Sequence, residues 1–294
     1  MSEGRGRAAT PLERPRAVLL YFACQAAFAL VFAVGATALV AGTGVTHFAH
    51  GDRTLFEPGG LLLTETLGRV LPLVPGHAAS GLALGTLALV LLLVPHGALV
   101  AALARPAGEG TSRLFGYAVE KLSTLLSLTG TALLLQVLLL AASGLLAAAV
   151  RNAAFGSARA SDGAGLLVVA AGVALVVAVG VLRDLARAAA IDGDLAARGA
   201  AGLGIAVLLR LPRRVLFAWA PPAARGVVLV GLGAWLVGAI DVSRDGGWRV
   251  VSVFLVHQLI ALGLLALRAL WLGRSVTLVR EEARYAAPDS LARR

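Results

Sequence analysis

One lysine, one cysteine and one methionine occur in 294 residues, aromatic residues make up 5% and charged residues 14%. Each shortage excludes something. With Cys24 alone, no disulfide can form within the chain, so a small disulfide-stapled secreted module is ruled out. A soluble domain carries about 25% charged residues, and 14% leaves too little polar surface to cover a water-soluble globule of this size. An ordinary soluble enzyme and a disordered tail go with it. What is abundant is apolar, 59% of the chain, and the class that remains is a polytopic membrane protein.

The formal charge is +10, which in a soluble domain would point to phosphate binding. Here Lys121 is the single lysine among 26 basic residues, in a chain also swollen in Ala, Gly and Leu. That pattern is a GC-rich coding bias, so arginine abundance carries no nucleic-acid signal and no nucleic-acid partner is expected.

Crossing roughly 30 Å of hydrocarbon takes about 20 apolar residues at 1.5 Å per residue. Six stretches qualify: 17–42, 78–104, 122–150, 164–182, 222–240 and 250–273. All are expected to be helices, because within lipid every backbone N–H and C=O must be satisfied inside its own segment. A β-barrel would show short alternating segments, and there are none. The fold class is therefore all-α: a transmembrane bundle over 17–273, with an arm at 1–16 and a tail at 274–294. Pro222 suits a helix start.

Orientation follows the basic residues. Nineteen fall in the arm, the 105–121 and 183–225 loops and the tail, and six in the loops 43–76, 151–163 and 241–249. Both termini are expected in the cytoplasm. The inner segments, with Arg268, carry the whole +10, and the outer loops sum to zero. Trp219 and Trp271 fall near inner span ends and Trp248 at an outer one, the headgroup level such rings favour. Arg268, five residues before Gly273, is placed to snorkel to the interface. Arg14-Pro15-Arg16 before an apolar run resembles a signal peptide, but more than 20 apolar residues exceed the usual 7–15, so an uncleaved first span is expected.

Two long connections each suit an amphipathic interfacial helix. In 61–74, Glu65 and Arg69 can pair at i, i+4 beside Leu61, Leu62, Leu67 and Val70. In 195–211, Asp194 is a candidate N-cap and Pro212 the stop, with Arg198, Arg210, Arg213 and Arg214 toward anionic headgroups while Leu203, Val207 and Leu208 dip into lipid. The first three spans and the last three each run as one helix, a long loop with an amphipathic helix, then two helices, which would allow an inverted repeat, though the halves share no residue-level similarity. Small residues mark packing faces: Gly81 and Gly85, extended by Ala88; Gly165, Gly172 and Gly180; Ala234 and Gly238.

Polar residues inside spans are candidates for function because they are costly in lipid. Glu120, Thr124, Ser127 and Thr131 recur at spacings of 4, 3 and 4 on one helical face. With His257 they could line a solute path, or they could serve interhelical hydrogen bonding. His47, His50 and Asp52 form an HxxHxD group whose ligand types suit Zn²⁺, but without an HExxH arrangement or a cysteine. No metal or other cofactor is expected. Walker and GxSxG signatures are absent, and no catalytic residue is assigned. The densest polar stretch, Arg183, Asp184, Arg187, Asp192, Asp194 and Arg198, reads as a solvated hinge at the membrane surface.

That stretch carries a resemblance. Residues 181–200, with Arg183-Asp184 and Arg187 leaving one helix before an amphipathic elbow and Pro212, resemble bacterial six-span membrane families of unknown function. They are broadly similar to the membrane domain of glycerophosphodiester phosphodiesterases. Their soluble catalytic domain has no counterpart here, so the resemblance implies architecture and not activity. The expected function is that of a non-catalytic structural, assembly or regulatory component of the bacterial inner membrane. Its partners would be the bilayer, anionic headgroups included, and other membrane proteins. A small permease subunit is the alternative, and an intramembrane lipid-modifying enzyme using His47, His50 and Asp52 comes after it.

Overall fold

The computed structural model describes residues 8–41, 74–106, 109–152, 158–240 and 247–291. Among them every regular element is helical. After a single 3-10 turn, Pro11–Glu13, come α1 (Pro15–Ala41), α2 (Val74–Ala104), α3 (Thr111–Glu120), α4 (Leu122–Asn152), α5 (Ala158–Asp192), α6 (Ala197–Arg210), α7 (Pro212–Ala239) and α8 (Gly247–Leu291). Five of these helices, α2, α4, α5, α7 and α8, are long and apolar enough to cross a membrane, consistent with a multi-pass membrane protein. The amphipathic segment expected at 61–74 lies outside the described residues.

Three helix ends depart from the sequence reading by ten residues or more. Charged residues stop an apolar run but not a helix. α5 continues to Asp192 and α8 to Leu291, well past 182 and 273. At 1.5 Å per residue the 45 residues of α8 rise about 68 Å, more than twice the hydrocarbon thickness. α7 begins at Pro212, ten residues before the expected Pro222, because Leu211 (φ −121°, ψ 41°) ends α6 and Pro212 then serves as the first helical residue. Pro221 and Pro222 therefore lie inside a helix.

A proline within a helix orphans the carbonyl four residues back. For Pro222 that carbonyl belongs to Ala218, and the Arg274 Nη1 donates to it at 2.8 Å. The same device finishes α2. Its terminal carbonyls have no partners within the helix and form the negative end of its dipole. The Ala9 N–H bonds Leu103 O at 2.8 Å, Arg14 Nη2 bonds Arg105 O at 2.6 Å, and Arg280 Nη2 bonds Ala104 O.

The chain forms two compact units. The first takes its described residues from 1–14, 96–222 and 268–294 and is organised around the end of α5. Asp184 to Ile191 are buried one after another, so about two turns of helix are covered on all sides. Ala188, Ala189 and Ala190 are completely buried, and their small side chains let neighbouring backbones come close. Gly204 of α6 packs there: a Cβ on it would fall 3.1 Å from the Ala186 nitrogen. Further along α5, Gly165, Gly172 and Gly180 lie against Arg151, Ser143 and Gln136 of α4, and Gln136 Nε2 donates to Val176 O at 3.0 Å. α2 meets α3 and α4 at Gly97, where a Cβ would sit 2.8 Å from Leu125 Cδ1 and 3.0 Å from Ala118 Cβ. α8 presents Leu265, Ala269, Leu272, Val276 and Val279 as buried residues at alternating four- and three-residue spacing, the stripe of a packed helix; the last four belong to this unit.

The second unit takes its described residues from 15–95 and 223–267. There α7 and α8 pack through glycines: Gly226 beside Leu264, Gly233 beside Ile260 and Gly263 beside Leu229. Gly233 is buried and Ala234 exposed, and Gly238 and Gly85 have nothing within 4 Å of a built Cβ. The side-chain surroundings of Gly81 lie outside the described residues.

The bond between Arg274 and Ala218 predicts a coupling. Arg274→Ala should destabilise the protein in detergent by about 1.5–3 kcal/mol, the usual worth of a hydrogen bond to a charged group. In a Pro222→Ala background, where the residue 222 N–H can reach Ala218 O, that cost should shrink by half or more. Additive effects of the two substitutions in a thermal-unfolding cycle would show that the arginine does not replace the missing bond.

Candidate functional site

The densest polar chemistry among the described residues is a buried layer built from four helices. At its centre is Asp184 of α5, 4% exposed. Its Oδ1 is 3.2 Å from Arg268 Nη2, 3.6 Å from Arg187 Nη1 and 3.6 Å from Arg183 Nε. Its Oδ2 accepts from the Trp271 indole Nε1 at 3.1 Å. Arg187, also 4% exposed, extends the layer: Nη1 lies 3.2 Å from His96 Nε2, and Nη2 donates to Thr129 Oγ1 at 2.7 Å. A guanidinium has donors only, so His96 Nε2 accepts and the ring carries its proton on Nδ1. Thr129 Oγ1 in turn donates to Leu125 O at 2.5 Å.

Helix geometry explains the convergence. Asp184 and Arg187 are three residues apart on α5, and Arg268 and Trp271 three apart on α8, so each pair projects from one face. His96 comes from α2 and Thr129 from α4. Of the segment expected as a solvated hinge, Asp184 and Arg187 are buried, because these charges have partners inside the protein, whereas Asp194 and Arg198 are exposed. Arg268 does not simply snorkel; it holds Asp184 with its side chain 38% exposed. Trp271, expected at headgroup level, is 4% exposed.

Further ion pairs continue along α8. Arg280 grips Asp192 with Nε and Nη2, each at 2.9 Å, and both side chains are nearly buried. Glu282, 2% exposed, accepts from Arg210 at 2.8 Å, and Glu281 pairs with Arg214. These bonds fasten α8 to the ends of α5 and α6 and the start of α7. On α6, Ala200, Gly204 and Val207 are buried, so Val207 does not dip into lipid as expected; Ile205 and Leu209 form the exposed apolar edge. The N-cap of α6 is Ala196. Asp194 instead sits at φ 55°, a left-handed conformation that Asp tolerates, and pairs with Lys121. Arg105 stacks on Tyr117 with 3.5 Å to the ring centroid and bonds Glu109 at 3.3 Å.

The polar stripe stands elsewhere. Glu120 ends α3, and Ser127 and Thr131 of α4 are exposed, with Thr124 half-buried. Leu125, Leu128, Thr129 and Ala132 form the buried face of α4. His257 belongs to the second unit, where it is exposed and its Nδ1 lies 2.8 Å from Val253 O. His47, His50 and Asp52 lie outside the described residues, and among the described ones no three His, Cys, Asp or Glu side chains could hold a metal ion. Sequence reading singled out neither His96 nor Thr129. The available signal was an Asp-x-x-Arg pair on one helix and an Arg-x-x-Trp pair on another, each at a span end.

No protein-family model matches the chain, and neither a curated protein nor a solved structure matches it.

Removing the shared carboxylate should be the most damaging change in the layer. Asp184→Leu is expected to cost about 3–5 kcal/mol, the range for breaking a buried charge cluster from one side. Arg268→Ala, at a partly solvated position, should cost less than half of that. Thermal unfolding in neutral detergent reads both, and equal losses would remove Asp184 from its central place.

At the surface, the hydrogen bond and charge of Lys121 hold the Asp194 carboxyl below its ordinary value. A depressed carboxylate contributes stability that is complete above its unfolded value, about pH 4, and is lost as pH falls through the lower folded value. Asp194→Asn, which keeps the left-handed tolerance, should therefore flatten the stability profile below about pH 4. An unchanged acid limb would show that the pair does not persist in solution.

Proposed function

We propose that this chain is a non-catalytic component of a bacterial inner membrane, serving a structural, assembly or regulatory role. In this reading it crosses six times, α1 supplying the first span with its 27 residues, and both termini are cytoplasmic. The excess of basic residues in the arm, the 105–121 and 183–225 loops and the tail supports that orientation. α6 lies near the inner interface with Ile205 and Leu209 toward lipid and Arg198 and Arg210 toward anionic headgroups. The likeness of 181–200 to six-span membrane families agrees with this architecture and brings no activity with it.

One observation carries the reading: the buried polar groups bond to one another across four helices, while the outward faces of α4 and α5 are apolar. Such a layer fixes how helices meet. A permease path along Glu120, Thr124, Ser127 and Thr131 would need those side chains turned inward, and the exposed positions of Ser127 and Thr131 favour the structural role.

Reporter fusions test the topology. Fusions at 112, 200 and 290 should report cytoplasm, and fusions at 55, 157 and 245 the opposite side. A cytoplasmic signal at 55 or 245 would overturn the map. Purification from a native membrane in mild detergent should retain a second membrane protein; a chain that purifies alone and drives solute flux in proteoliposomes would replace the structural role with transport.

A further inference from the structure

Three guanidinium groups meet one carboxylate at Asp184. Arg187 has other partners, His96 and Thr129. Among the described residues Arg183 and Arg268 have only Asp184, whose oxygens already accept from Arg268 and Trp271. Arg183 is the extreme case. Its Nε is buried, stands 3.6 Å from Asp184 Oδ1, and has no hydrogen-bond acceptor. A guanidinium holds its charge under all ordinary conditions, so it cannot relieve burial by losing a proton. Among the described residues the cluster therefore carries two positive charges more than its one carboxylate balances.

The surplus is also reachable. The Arg268 side chain is 38% exposed and that of Arg183 17%, against 5% for Arg187. Arg183 Nε and Arg268 Nη2 both lie close to the same carboxylate oxygen, at 3.6 and 3.2 Å, so they are at most about 7 Å apart. One phosphate group at the exposed edge of the two guanidinium groups can accept from both with separate oxygens at charge-assisted distances of about 2.8 Å.

We propose that Arg183 and Arg268, backed by Arg187, form a binding site for a phosphate-bearing anion. The phosphate takes the hydrogen bonds that Asp184 does not supply and neutralises the remaining charge. Two sources share this chemistry, the headgroup of an anionic phospholipid and free phosphate. The site does not depend on which side of the membrane it faces, so its test is separate from the topology map.

The test uses the full chain in neutral detergent and reads melting temperature with added phosphatidylglycerol, phosphatidylcholine or inorganic phosphate. Phosphatidylglycerol at saturation should raise the midpoint by about 5 °C over phosphatidylcholine. An equal rise with inorganic phosphate assigns the site to the phosphate group itself; a rise with the lipid alone assigns it to a headgroup. Arg183→Gln gives the sharper result. Because Arg183 adds surplus charge and makes no hydrogen bond among the described residues, the variant should match or exceed the parent without ligand, yet lose at least half of the ligand-induced shift. Arg268→Gln should lose a comparable part, and Arg213→Gln, on an exposed arginine, should keep it all. No shift with either anion, or a full shift in Arg183→Gln and Arg268→Gln, would overturn the proposal. So would an equal loss in Arg213→Gln, which would mark diffuse surface attraction.

Discussion

A carboxylate that has left water must be met by charge or by hydrogen bonds on every accessible oxygen, and Asp184 imposes that demand on four helices. α8 answers with Arg268 and Trp271, α5 with its own Arg183 and Arg187, and Arg187 must then be answered by His96 of α2 and Thr129 of α4. Each partner fixes both the rotation and the height of its helix. A one-residue slide of α8 would shift it by about 1.5 Å and turn it by about 100°, carrying Arg268 and Trp271 away from the same carboxylate together. Apolar packing alone is more forgiving, since one leucine can stand in for another. A buried ion cluster of this kind adds little net stability over a well-packed apolar core. What it supplies is a penalty on every other register.

Around that layer, backbone proximity does the packing. Gly204 against Ala186, Gly97 against Leu125 and Gly172 against Ser143 bring helices together where a side chain would hold them apart. Close approach increases dispersion contact, which matters because lipid offers helices no hydrophobic reason to prefer each other over acyl chains. The price is a set of helix ends and proline-interrupted turns whose carbonyls have no partner. Arginine serves them. Arg14, Arg280 and Arg274 reach from other segments to Arg105 O, Ala104 O and Ala218 O. A long side chain with several fixed donors can bond a carbonyl and a carboxylate at once, as Arg280 does with Ala104 and Asp192.

The helical class was legible because an apolar run that must satisfy its own backbone in lipid has few other options. Helix ends were less so. Asp184, Arg187, Arg274 and Arg280 interrupt hydropathy, yet they are helix interior because their partners lie on neighbouring helices, and a hydropathy window cannot see partners. The polar stripe of α4 shows the same limit. Ser127 and Thr129 are two residues apart and project from different faces, Ser127 exposed and Thr129 buried. Periodicity tells which residues share a face, not which face turns inward; that is decided by Arg187 on α5. Val207 was read as lipid-facing on the same grounds, and it is buried.

The arginines hold two roles that do not compete. Counting basic residues at span ends yields an orientation, and the usual picture behind that count is a row of charges facing headgroups. Here many of the counted arginines are engaged within the protein: Arg14 and Arg274 bond carbonyls, Arg183 and Arg187 stand as ion-pair neighbours of Asp184, and Arg280 pairs with Asp192 and Arg210 with Glu282. A hydrogen bond to a carbonyl leaves the charge intact, so Arg14 and Arg274 still resist transfer across the membrane while closing a helix end. A full ion pair does not, since Arg280 with Asp192 is neutral as a unit. In the proposed topology the orienting charge is therefore the part of the arginine content left over after the carboxylates are matched, and the cluster at Asp184 holds two of those charges inside the fold.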